Sequence, residues 1–145
     1  MVRAPSPDQG LPLAAPSTWF VFALAALFVG LGLLFILAPC LGAALFGLPA
    51  PEGQSLGYLP VISLRDLAFG LYLFALARPA TARAVATVLA ITTLIPAGDV
   101  AIVAIERGFS SPGHLLLHAA SGATMAGGAA WLIHQSRTKD GETHP

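Results

Sequence analysis

Four long apolar stretches, at about residues 18–38, 59–77, 84–105 and 113–133, account for most of this chain. Three of them contain ionisable side chains: Arg65 and Asp66 in the second, Asp99 in the third, His114 and His118 in the fourth. Each stretch is close to the ~20 residues a helix needs to cross a bilayer. A charged group inside hydrocarbon is costly, so each requires a partner, a wet cavity or a task. Of the 145 residues 56% are hydrophobic and only 10% charged, against about 25% charged in soluble domains. The expected fold is therefore all-α: a four-helix transmembrane bundle running up-down-up-down, a multi-pass protein of the cell membrane.

The segments between the stretches punctuate this plan. Residues 1–17 hold Pro5, Pro7, Pro12 and Pro16 among polar residues and are expected to be a disordered tail. Residues 40–58 are rich in Gly, Ala and Pro around Leu45 and Phe46, which predicts a loop with a short interfacial turn. Arg78-Pro79 ends the second span, because proline cannot continue the hydrogen-bond ladder. Pro96 lies inside the third span, where it frees the Thr92 carbonyl and can kink the helix just below Asp99. Ser110-Ser111-Pro112 marks the start of the fourth. The domain spans 18–135, and 136–145 is expected to be a second disordered tail. The single cysteine, Cys40, rules out an intrachain disulfide. Pro39 directly before it, and the length of the preceding apolar run, count against a lipoprotein cleavage site at Leu37-Ala38-Pro39-Cys40.

Zero net charge and the lack of any dense basic run exclude a nucleic-acid footprint. The basic residues outside the spans divide unevenly. Arg3, Arg78, Arg83, Arg137 and Lys139 fall on one side, and only Arg107 on the other. By the positive-inside rule both termini are expected in the cytoplasm. At 1.5 Å rise per residue, Arg65, Asp66 and Asp99 then lie roughly 9 to 10 Å below the outer surface. His114 sits near that surface and His118 one turn deeper. The five residues are expected to form one site, with Tyr72, Phe69 and Gly70 a turn or two below.

Adjacent residues on a helix point about 100° apart, so Arg65 is expected to reach across to Asp99 while Asp66 faces another neighbour. Two carboxylates and one guanidinium leave one negative charge, which a protonated His118 or a bound proton neutralises. The candidate binding residues are Arg65, Asp66, Tyr72, Asp99, His114 and His118, with Asp99, His118 and Asp66 the candidates for acid/base work. His114 and His118, four apart on one stripe, also have the spacing of a transition-metal pair. Without an adjacent glutamate that pattern is unspecific, and neither metal nor cofactor is assigned. An interhelical ion-pair scaffold is the competing explanation of the charges. The second carboxylate and both histidines exceed what such a scaffold requires. In the fourth stretch, Ala119, Ala123 and Gly127, with Ala120, Thr124 and Gly128, form small-residue stripes suited to close helix packing, in the bundle or in a homo-oligomer.

Arg65-Asp66 with Gly70, Pro96 with Asp99, and Gly113-His114 with His118, preceded by Pro39 and Phe46-Gly47-Leu48-Pro49, together resemble a family of small four-helix membrane proteins catalogued as a domain of unknown function, the 4267 type. The layout is similar to the wider DoxX-like group, some of whose members are associated with quinone-linked redox chemistry. No redox cysteine pair or haem signature is present, so that activity does not carry over. The function expected from the residues is binding of a small amphiphilic or lipid-like molecule, such as a quinone, lipid or terpenoid, together with a proton. An intramembrane acid/base enzyme of isomerase or hydratase type, and a non-catalytic subunit of a membrane complex, are the alternatives.

Overall fold

Proline and glycine place most helix ends. The computed structural model describes residues 10–49, 52, 53 and 57–142, with side chains as far as Thr138. Helix α1 spans Pro16–Leu37 and α2 spans Pro39–Phe46. Then come α3 at Tyr58–Leu76, α4 at Ala82–Thr92, α5 at Leu94–Arg107, a 3₁₀ turn at Gly108–Ser110, and α6 at Pro112–Glu142. Prolines 16, 39 and 112 each open a helix, where the missing N–H is no loss. The Thr81 hydroxyl caps α4 by accepting from the Ala84 N–H at 3.2 Å. Among the described residues there are helices and turns but no strand, and four helical stretches are long and apolar enough to cross a membrane.

Three details depart from the sequence reading. The first loop contains a regular helix, α2, rather than a bare turn. The third span is broken at Thr93 into α4 and α5, because Pro96 lacks the N–H that the Thr92 carbonyl requires. And α6 continues to Glu142, well past Ile133, since no glycine or proline interrupts residues 134–140. Of the expected N-terminal tail, residues 10–15 lie across the ends of α3 and α4. Leu11 is buried in the core, Gly10 sits against the Arg78 carbonyl, and the Thr18 hydroxyl donates to the Pro12 carbonyl at 2.6 Å. The rest of that tail, residues 1–9, and residues 143–145 fall outside the described residues.

Two helix pairs make the bundle: α1 lies along α3, while α4 and α5 lie along α6. Lipid removes most of the hydrophobic drive between helices, so close backbone approach has to supply the attraction. Two glycines permit it. A Cβ on Gly32 of α1 would stand 2.8 Å from the Ser63 carbonyl oxygen, and one on Gly70 of α3 would stand 2.8 Å from the Ala25 carbonyl oxygen. Phe28 and Phe69 meet edge to face at 4.7 Å in the same seam. The pairs are joined by one apolar core, in which Leu24, Leu73, Val85, Leu89, Met125 and Leu132 interlock. That core fills the end of the bundle near Pro16, Ala77 and Ala82. Large apolar side chains such as Leu37, Leu64, Leu71, Ile91, Leu94 and Leu116 are exposed around the outside, a surface suited to lipid contact.

Candidate functional site

The end of the bundle away from the apolar core is polar. Arg65 and Asp66 lie about two turns into α3, Asp99 about two turns from the end of α5, and His118 less than two turns into α6. These positions are roughly 9 to 12 Å below the helix ends at 1.5 Å per residue. The ionisable groups there form two pairs, Arg65 with Asp66 within α3 and Asp99 with His118 between α5 and α6.

The pairing inside the cluster differs from expectation. Arg65 Nε donates to Asp66 Oδ1 at 3.0 Å, its own neighbour rather than Asp99. The 100° between adjacent positions separates Cβ atoms, but the long arginine side chain bends back around the helix. The Arg65 side chain keeps 42% of its surface exposed while that of Asp66 retains only 7%. Arginine thus neutralises a buried carboxylate from the rim, its head directed outward. The partner of Asp99 is His118, whose Nδ1 lies 3.6 Å from Oδ2. That is ion-pair range, longer than a hydrogen bond.

The other nitrogen of His118 has a different duty. A helix leaves its last carbonyls without intrahelical partners, and α2 ends inside the protein. Gly47, at φ 95°, turns the chain in the left-handed conformation, and the N–H groups of Gly47 and Leu48 return to the Ala44 and Ala43 carbonyls at 3.2 and 3.3 Å. Side chains from the second helix pair rest on three carbonyl oxygens at this end. His114 Nε2 meets the Ala44 carbonyl oxygen at 3.0 Å, His118 Nε2 meets that of Phe46 at 2.8 Å, and Arg107 Nη1 donates to that of Gly47 at 3.0 Å. A carbonyl only accepts, so both imidazoles donate from Nε2. The Phe46 ring packs on His118 with centroids 4.8 Å apart. A side chain at Gly47 would also collide with the His114 ring, its Cβ 2.5 Å from Cγ.

Beside His118 a cleft of about 250 Å³ opens between α5 and α6, lined by Thr93, Pro96, Val100, His118, Ala119 and Gly122 among others. Its walls are short because the α6 positions carry Ala and Gly, and because Pro96 breaks the third span beside it. Arg65 and Asp66 do not line it. Tyr72 is largely exposed on α3. Among the described residues no three His, Cys, Asp or Glu side chains converge as a metal-holding group.

Arg107 and Phe46 belong to this region although the sequence did not single them out for it. The bracket of Pro39 and Gly47 around eight residues was a legible helix signal. The pull of Arg107 on a backbone carbonyl had no counterpart in the sequence.

No curated protein and no solved structure matches the chain. A family model does, over residues 25–132, which takes in every residue of the polar cluster and of α2. The chain belongs to the DUF4267 family, a domain of unknown function.

Proposed function

We propose that this multi-pass protein binds a small amphiphilic or lipid-like molecule, with its apolar body in the cleft between α5 and α6 and its polar end at His118 and Asp99. The observation that carries the reading is the position of His118, which both lines the cleft and faces Asp99. With Nε2 donating to Phe46, a bare Nδ1 opposite an ionised carboxylate would set two electron-rich atoms 3.6 Å apart in a medium of low dielectric. One proton on either group relieves this, so the pair holds a proton that a ligand carbonyl or hydroxyl can engage.

The cleft is tested by filling it. A Cβ on Gly122 would stand 3.5 Å from the Pro96 ring, ordinary contact, so leucine there fits at its base and occupies the cleft with its branch. Protein extracted from native membranes should retain a lipid-like molecule in native mass spectrometry, and Gly122→Leu should lose about tenfold in occupancy, equivalent to 1.4 kcal/mol. Equal retention by both proteins would reject the cleft. A protein without any retained molecule would favour the subunit reading.

The charge asymmetry of the loops supports a site in the outer half of the cell membrane, with both termini cytoplasmic. The native cysteine reports on it. Cys40 is exposed at the start of α2, so a membrane-impermeant maleimide should label intact cells at Cys40. A cysteine introduced at Thr138 in a Cys40→Ser background should react only after lysis. The reverse pattern would invert the topology.

A further inference from the structure

A second site lies at the opposite end of the bundle, where α1 begins. Its N-cap residue Ala15 offers no side-chain cap, so of the first N–H groups, where Pro16 has none and that of Thr18 returns to the Ala15 carbonyl at 3.0 Å, that of Ser17 stands without one. Beside it is a cavity of about 40 Å³ bounded by Pro12, Ala15, Ser17, Ala82, Gln135 and Ser136. Ser17 is 1% exposed, and its hydroxyl is the one buried side-chain polar atom without a hydrogen-bond partner among the described residues. Such a group is costly if left unmatched.

The polar groups around the cavity can each donate a hydrogen bond, though their oxygens also accept. Ser17 Oγ–H, the Gln135 side-chain NH2 and the Ser17 N–H supply donors, and the helix end adds positive potential. The Arg83 guanidinium stands at the edge, its Nε donating to Ser136 Oγ at 3.4 Å. No carboxylate lines the cavity among the described residues. A single water needs ~10–15 Å³ by the same measure, so the space suits a several-atom oxyanion better than one solvent molecule. Arg78 and Arg137 belong to the same end of the bundle, at the level where lipid phosphates lie.

We propose that this cavity binds a phosphate oxyanion, presented by a phospholipid headgroup or as free phosphate. The site is independent of the cleft at His118. The experiment is a set of thermal unfolding measurements on the full-length protein in dodecylmaltoside micelles, with added inorganic phosphate, dioctanoyl phosphatidic acid, or dioctanoylglycerol as the phosphate-free control. A phosphate-bearing probe in hundredfold excess over its Kd should raise the midpoint by roughly 5 °C or more, and dioctanoylglycerol should not. A rise with the lipid alone assigns the site to a headgroup; a rise with inorganic phosphate as well assigns it to the bare anion. Ser17→Ala should unfold at or above the wild-type midpoint without probe, having lost an unmatched hydroxyl, and should lose the probe-dependent rise. Gln135→Leu should lose the rise too, and serves as the second variant. The proposal is overturned if neither phosphate probe shifts the midpoint, if dioctanoylglycerol shifts it equally, or if both variants keep the full rise.

Discussion

Arg65→Leu should cost about 3 kcal/mol of stability, because it leaves the Asp66 carboxylate in place, its side chain 7% exposed and stripped of its cation. Asp66→Leu should cost less, since the half-exposed Arg65 head can turn outward to water or headgroups. The double variant should recover much of the loss, as removing a buried pair is milder than breaking one. Unfolding in mixed micelles read by circular dichroism gives the three values and their coupling energy. The same cycle on Arg65 and Asp99 should return the smaller coupling, because those two interact only through space. Additive effects in the Arg65–Asp66 cycle would mean that the 3.0 Å contact carries no energy of its own.

Gly70→Val should do comparable or greater damage by another route. Its Cβ would lie 2.8 Å from the Ala25 carbonyl oxygen and 2.9 Å from the Val29 nitrogen, both backbone atoms of α1. A flexible side chain can step aside, but a helix backbone moves only as a whole, so α1 and α3 must separate and lose packing along their length. A loss of about 3 kcal/mol or more is expected, at the upper end for overpacked cores, with poor accumulation in the membrane. Gly98→Val and Gly127→Val are the controls: a Cβ at either position meets nothing within 4 Å, and both should stay within about 1 kcal/mol of wild type, near the intrinsic propensity difference. Equal damage at all three positions would show that helix propensity rather than helix approach is being measured.

The spans were readable because hydrocarbon permits few alternatives. Apolar length located the four helical stretches, Pro112 marked the opening of the last, and a fixed rise per residue put Arg65, Asp66, Asp99 and His118 at a common depth. What escaped was whatever depended on side-chain reach or on backbone acceptors. The angular argument for Arg65 treated the side chain as a radius from the helix axis, whereas its three-carbon arm carries Nε across the gap to Asp66. The histidines looked surplus because their acceptors, the carbonyls of Ala44 and Phe46, leave no trace in residue identity. The break at Thr93 was announced by Pro96, but its result, short walls beside His118, depended on which residues of α6 happened to stand opposite.

The attachment of α2 gives the seam between the two helix pairs an uneven character. Near Pro16 the pairs are held by interlocked apolar side chains, and at the far end by three donors resting on backbone oxygens of a helix eight residues long. A visitor that brings its own carbonyl or hydroxyl groups can trade places with those oxygens one at a time, whereas hydrocarbon interlocking offers nothing to exchange. The molecule is thus a book bound along one edge, whose covers are closed at the other by a clasp made of hydrogen bonds.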